Sequence, residues 1–233
     1  MDKKIDIEKA YADKFLWDEP IVYMGISLYP VQVKDIQNFT LNICSLVYDP
    51  LGHNSMISTL PRLYFLTDIL NHQEDAEYLK NNVFLIQMYT SLICVLEMVL
   101  KDQKFQFVKN KNRWFLRVKT NSGEDVDIRA KDFDELRAII LHQNGVDYDD
   151  TFIHEDIRKW IEEQERAEKN FKIVNEDYLN MFMLQMKKSS MEEIAEMSLR
   201  RFYRIIDKLV AREKYFVEQF CYITGKTKTA PRH

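Results

Sequence analysis

The sequence predicts an α+β protein that is predominantly α-helical, with an N-terminal helical core, a small antiparallel β-meander and a C-terminal helical bundle. Hydrophobic residues make up 46% and charged residues 30% of the 233 residues, a balance that can bury a core. Only 5 Gly and 5 Pro are present, which disfavours an all-β fold, because such folds need many tight turns. Apolar residues recur at helical spacing along most of the chain and alternate mainly in residues 104–129.

The first elements are predicted from apolar spacing and from proline positions. Residues 1–30 look weakly structured or partly extended, and residues 21–28 (IVYMGISL) have strand-like content between Pro20 and Pro30. Helical spacing follows in the series Val33, Ile36, Phe39, Ile43 and Val47. Pro61 suits the first position of a short helix that runs through Leu70.

One long helix is predicted over Glu74–Leu100, and its second half is the most apolar stretch of the chain. Residues 83–100 (VFLIQMYTSLICVLEMVL) therefore have to be tested as a membrane span, which needs about 20 mostly apolar residues. Glu97 and several amides and hydroxyls in this stretch would be costly in lipid. We expect a buried core helix and no membrane partner.

The β-meander is predicted from period-2 alternation. Residues 104–109 and 113–119 alternate around a turn at 110–112, and residues 125–129 form a possible third strand. Three strands are about the minimum for a stable sheet, so these are expected to lean on helices.

A helix is predicted over Phe133–His142, with Asp132 as its N-cap and Glu135 in the capping-box position. Asn144-Gly145 ends it, with the glycine at the left-handed position. A charged helix over His154–Lys169 follows, so two regions are expected, residues 1–150 and 151–233.

Three helices are predicted in the second region, over Glu176–Lys188, Met191–Met197 and Leu199–Tyr222, with Ser190 capping the middle one. The residues expected inside the last helix's packing are Phe202, Ile205, Ile206, Leu209, Tyr215, Phe216 and Phe220. The final residues, 223–233, form a basic tail.

No constellation of residues points to an enzyme. His142 and His154 have acidic neighbours but no metal-ligand spacing, and Gly225-Lys226-Thr227 lacks the upstream half of a phosphate-binding loop. The sequence therefore predicts no catalytic residues, no cofactor and no metal. Three cysteines without a CxxC pair, and a polar N-terminus, predict reduced, buried thiols in a cytoplasm.

Charge makes nucleic acid an unexpected partner for the chain as a whole, because the formal net charge is −4. Residues 190–209 nevertheless have the outline of a helix-turn-helix, so a DNA-binding regulator is an alternative function. That alternative requires four basic side chains to be exposed together, free of acidic partners. They are Arg200, Arg201, Arg204 and Lys208.

Protein binding is the expectation that the composition favours. Methionine is adaptable and suits apolar partner surfaces. The candidate partner-binding residues are Met183, Met186, Met191 and Met197, with Arg200, Arg201 and Arg204 on a basic face.

The order of segments from residue 105 onward carries a resemblance. The meander is followed by residues 133–146 (FDELRAIILHQNGV), a charged helix, and residues 190–202 (SMEEIAEMSLRRF). This order resembles proteins from the tail modules of phages that infect Gram-positive bacteria, read as tail-assembly-chaperone-like or minor structural proteins.

The resemblance implies a non-enzymatic role in phage morphogenesis, through contacts with tape-measure or tube proteins, and it leaves a homo-oligomer open. It implies a location in the cytoplasm of the bacterial host or in the virion. A third hypothesis is a phage inhibitor of a host defence protein that uses the acidic residues 147–168 as a decoy surface.

Overall fold

The computed structural model describes residues 7–47, 61–111, 113–146 and 191–224, and it confirms a mostly helical α+β fold with a small antiparallel meander. The helices are α1 (Ile7–Ala10), α2 (Ala12–Trp17), α3 (Ile36–Asn42), α4 (Cys44–Val47), α5 (Arg62–Thr67), α6 (Ala76–Asn81), α7 (Val83–Leu100), α8 (Ala130–Gln143), α9 (Met191–Ala195) and α10 (Leu199–Ile223). The strands are β1 (Ile21–Tyr23), β2 (Ile26–Leu28), β3 (Phe105–Asn110), β4 (Arg113–Lys119) and β5 (Asp125–Ile128). Short 3₁₀ turns lie at Val33–Asp35 and Asp68–Asn71.

The strand-like segment near the N-terminus is an antiparallel hairpin of β1 and β2. Its two-residue turn uses positive φ at both Met24 (51°) and Gly25 (83°), the geometry that suits the twist of a hairpin. Ile21, Ile26 and Leu28 are fully buried. The expectation of weak structure was wrong for residues 7–17, which form α1 and α2.

The centre of the helical core is α7, as the sequence predicted, although the long helix is broken in two. At Asn82 the backbone (φ −121°, ψ 41°) leaves the helical region, and its amide Nδ2 donates to the carbonyl of Tyr78. The stretch from Val33 to Val47 is likewise divided into a 3₁₀ turn, α3 and α4. One face of α7 packs against α3, α4 and α5. Its buried residues are Leu85, Met88, Leu92, Val95, Leu96, Val99 and Leu100.

Among the described residues, α7 is the one helix that is long and apolar enough to cross a membrane by length and composition. Its buried face belongs to the same apolar core as α8 and the hairpin. The thiols are free, but Cys44 is exposed and Cys94 and Cys221 are partly exposed, so the prediction that all three would be buried was wrong.

The meander β3-β4-β5 presents one apolar face to the core. Leu116, Val118 and Ile128 lie on that face and are fully buried. On the opposite face the Arg117 guanidinium donates to both oxygens of Asp127, at 2.7 and 3.0 Å. These hydrogen bonds hold the pKa of the Asp127 carboxyl below its usual value.

Helix α8 begins at Ala130, three residues earlier than predicted, so the assignment of Asp132 as N-cap was wrong. The N-cap is Arg129, whose extended backbone follows directly from β5. Asp132 stands three residues into the helix, where its carboxylate accepts from the Arg129 N–H at 3.3 Å. The predicted glycine stop is confirmed, because Gly145 has φ +68°.

The described part of the C-terminal region packs into the same core as the N-terminal region. Ser198 joins α9 to α10 and forms an antiparallel bridge with Gln32. On either side of this bridge, the Val33 N–H donates to the Met197 carbonyl at 2.8 Å, and the Leu199 N–H donates to the Val31 carbonyl at 2.9 Å. The Ser198 hydroxyl caps α10 by accepting from the N–H of Arg201. Helix α9 ends at Ala195, two residues before the predicted end.

Two tyrosines that donate to carboxylates have raised pKa values, and both stabilise the fold in their neutral form. The Tyr23 hydroxyl donates to Glu135 Oε2 at 2.8 Å, and burial together with this carboxylate raises the pKa of Tyr23 well above its usual value. Burial and a 2.7 Å hydrogen bond to Asp68 raise the pKa of Tyr78 to about 12. Because the folded-state values exceed that of an unfolded tyrosine, about 10, the stability they contribute is complete below that pH and is lost above it.

We therefore expect the free energy of unfolding to fall as pH rises from about 10 towards 12. Urea unfolding across this range measures the fall, and phenolate absorbance identifies the groups that titrate. Tyr23→Phe and Tyr78→Phe should each make the fall shallower, whereas Tyr222→Phe, at an exposed tyrosine, should leave it unchanged. An unchanged slope in both Tyr23→Phe and Tyr78→Phe would contradict this assignment.

Candidate protein-binding surface

The four methionines predicted as partner contacts do not share one described surface. Met183 and Met186 lie outside the described residues. Met191 is half exposed on α9, whereas Met197 packs against the core and its backbone is bonded to Val33. Of the two candidate methionines that the structure describes, Met191 is therefore the one that a partner can reach.

Arg200, predicted as a partner contact, is engaged within the fold. Its guanidinium donates to the carbonyl of His142 and lies 4.5 Å from the centre of the Phe15 ring. A Cβ placed on Gly145 would lie 3.4 Å from the Arg200 Cα, so the glycine permits the close approach of α8 and α10. Arg200 is thus a structural link between α8, α2 and α10.

The remaining basic residues of α10 differ in their surroundings. Arg201 is exposed, but one of its nitrogens lies 3.8 Å from Asp18 Oδ2. Arg204 and Lys208 are exposed on the following turns. The DNA-binding alternative requires one free basic face, and these four side chains do not form one.

Helix α10 carries an apolar stripe that is buried at one end and exposed at the other. Phe202, Ile206 and Leu209 pack in the core. The stripe continues with the spacing of a heptad repeat, but Phe216 (54%), Phe220 (62%) and Ile223 (76%) are exposed. The prediction that Phe216 and Phe220 would be inside was wrong.

We call Phe216, Val217, Phe220 and Ile223 the exposed stripe. The buried half of the stripe ends at Leu209, and Glu213 occupies the heptad position between the buried and the exposed halves. Within residues 210–224, the partly buried side chains are Tyr215, Gln219 and Cys221, and the others are exposed. The 25-residue helix is therefore anchored by its first three turns and presents an apolar face on its last three.

Such a face binds a partner by removing its apolar side chains from water. Fully burying one large apolar side chain contributes about 1.5–3 kcal/mol, and the cost of association offsets part of this gain. Clusters of His, Cys, Asp or Glu able to hold a metal are absent from the part of the chain that the structure describes.

Comparisons with protein-family models, with curated proteins and with solved structures found no match to this chain. The class of protein is therefore defined by its own features, an α+β core that presents an amphipathic helix.

Proposed function

We propose that this is a non-enzymatic binding protein that holds a helical partner against the exposed stripe of α10. The observation that carries the proposal is the continuity of the stripe, buried at Phe202, Ile206 and Leu209 and exposed beyond them. A helix rooted in a core is held in place before binding, so little ordering entropy is lost when a partner docks.

The chemistry of the stripe favours a helix as its partner. Side chains at positions 216, 220 and 223 repeat every three to four residues, which is the pattern by which one helix packs along another. Val210, which lies one heptad before Val217, is also partly exposed and extends the apolar surface along α10.

The resemblance to phage tail-module proteins supplies the biological setting of the proposal. A tail assembly chaperone covers apolar stretches of a long helical tape-measure protein until tube subunits displace it. A structural tail component would use the same kind of contact permanently. The host-inhibitor alternative depends on residues 147–168, which lie outside the described residues.

We expect a tape-measure gene beside the gene for this chain, and the test is binding to helical segments of its product. Phe220→Glu should weaken the complex by roughly thirtyfold or more, which corresponds to the loss of a hot spot of about 2 kcal/mol. Leu41→Glu is the matched control, because Leu41 is similarly exposed (69%) but lies on α3. Titration calorimetry measures both variants.

The two variants should keep the melting temperature of the parent protein, because both side chains are exposed. Failure of the parent protein to bind any tape-measure segment would refute the tail-assembly role. Equal weakening by Phe220→Glu and Leu41→Glu would refute the exposed stripe as the contact surface.

A further inference from the structure

A cleft of about 640 Å³ opens beside the free part of strand β4. The pairing of β4 with β5 ends at Leu116 opposite Ile128, and the chain then turns into α8. Residues 113–115 consequently pair with β3 alone. Tyr64 of α5 and Arg129 line the cleft opposite this free strand edge.

The cleft is lined by cations. Lys111, Arg113 and Arg129 line it and are exposed to solvent. The one carboxylate among its described lining residues is Asp127, which is already bound by both hydrogen bonds from Arg117. An anion that enters therefore meets three positive charges and one neutralised carboxylate.

Two aromatic rings, those of Trp114 and Tyr64, line the same cleft. Trp114 is held in position because its indole Nε1 donates to Asn71 Oδ1 at 2.9 Å. The Lys109 ammonium lies 5.5 Å from the Trp114 ring, and the Arg113 guanidinium lies 5.7 Å from the Tyr64 ring. A neighbouring cleft of about 650 Å³ shares Tyr64, Arg113 and Trp114, so these three residues lie between two open spaces.

We propose that this cleft binds a nucleoside phosphate, with its phosphate on Lys111, Arg113 and Arg129 and its base against Trp114 and Tyr64. Phosphate is the anion that an arginine fork and neighbouring ammonium groups recognise. Aromatic rings next to such cations are the arrangement by which proteins hold unpaired bases. The volume lies within the range of small-ligand sites, about 300–1,000 Å³.

The observations favour this ligand over an acidic peptide added as a strand. The free edge spans only residues 113–115, which is too short for an extended ladder of backbone hydrogen bonds. A base-paired duplex is also disfavoured, because its bases are not available for stacking inside a cleft. The same nucleotide chemistry is offered by a free nucleotide and by a single strand.

The test uses the full chain and two probes, ATP and a fluorescein-labelled ten-residue oligothymidylate, with fluorescence anisotropy and direct ATP titration as readouts. Binding of either probe is expected, and oligothymidylate affinity should fall with rising salt in proportion to about three phosphate contacts. Arg113→Glu should weaken binding at least tenfold. Arg212→Glu, the same charge change at an exposed position on α10, should leave it within twofold.

Every outcome of the test either supports or overturns the proposal. Binding of oligothymidylate alone, lost in Arg113→Glu, supports the site with a single strand as its source, and binding of ATP alone supports a free nucleotide. Absence of binding by both probes overturns the proposal. Equal weakening by Arg113→Glu and Arg212→Glu also overturns it. Displacement of the bound probe by polyglutamate, at an ionic strength at which sodium chloride alone displaces none of it, overturns it as well. A matching melting temperature for the two variants shows that both remain folded.

Discussion

Phe202→Ala is expected to lower the free energy of unfolding by about 3–5 kcal/mol, the usual effect of removing a fully buried aromatic side chain. Phe202 has no exposed surface and lies in the core cluster that joins both terminal regions. It lies one helical turn after the Ser198 cap, whose carbonyl accepts from the Phe202 N–H at 3.0 Å. Truncation therefore leaves a cavity where the helix enters the core.

Phe216→Ala is the control on the same helix, since Phe216 belongs to the same stripe but is 54% exposed. Its effect should stay below about 1 kcal/mol, because little transfer energy and no cavity are involved. Urea unfolding followed by circular dichroism measures both variants. Similar losses in both would mean that the outer half of α10 is packed, which would remove the basis for the exposed stripe.

The contrast between these two phenylalanines shows what periodicity can predict. The spacing of apolar residues correctly located α10 and the side that is apolar, because a helix places every third or fourth residue on one face. It does not show whether a neighbouring element covers that face. The spacing therefore predicts the same burial for Phe202 and Phe216, and only the tertiary arrangement shows that their exposure differs.

Local rules also found most of the meander and the end of α8. Alternation located β3 and β4, the possible third strand over 125–129 is confirmed as β5, and Asn144-Gly145 marked the helix stop correctly. The start of α8 was missed because an acidic residue suits both the N-cap and the third helical position. Asp132 occupies the third position, since β5 runs straight into the helix at Arg129.

Contacts between residues that lie far apart in the chain could not be predicted from the sequence. Arg200 was predicted as a partner contact, yet its guanidinium binds the carbonyl of His142, 58 residues away. The cleft beside β4 was likewise missed, because Tyr64 comes from α5 and Arg129 from the start of α8. A visible signal was the grouping of basic residues at 109, 111, 113 and 117 around the aromatic pair Trp114-Phe115, a segment that was interpreted as a strand and nothing more.

Asn144→Asp is expected to destabilise the protein by about 3–5 kcal/mol near pH 7, the effect of an uncompensated buried charge. Asn144 is fully buried. Its Oδ1 accepts from the Val31 N–H at 2.8 Å, and its Nδ2 donates to the Ile140 carbonyl at 2.8 Å. The substitution keeps the acceptor but turns a carboxylate oxygen towards the Ile140 carbonyl.

Burial and the facing carbonyl should raise the pKa of the introduced carboxyl above the value of about 3.9 for an unfolded aspartate. A protonated carboxyl can accept from Val31 and donate to Ile140, so the variant is closest to the parent protein at low pH. Because the folded-state pKa is the higher one, stability relative to the parent is lost as pH rises above about 4. Asn144→Ala instead removes both bonds, and its loss of about 1–3 kcal/mol should not depend on pH.

Urea unfolding of the parent protein and both variants at pH 4.5 and pH 7.5 measures these differences. The gap between Asn144→Asp and the parent should widen at the higher pH, and the gap for Asn144→Ala should stay constant. This residue holds the end of α8 against Val31, whose carbonyl in turn accepts from Leu199 at the start of α10. A pH-independent effect of Asn144→Asp would place the introduced carboxyl in water, and the junction from which α10 extends would then be open to solvent.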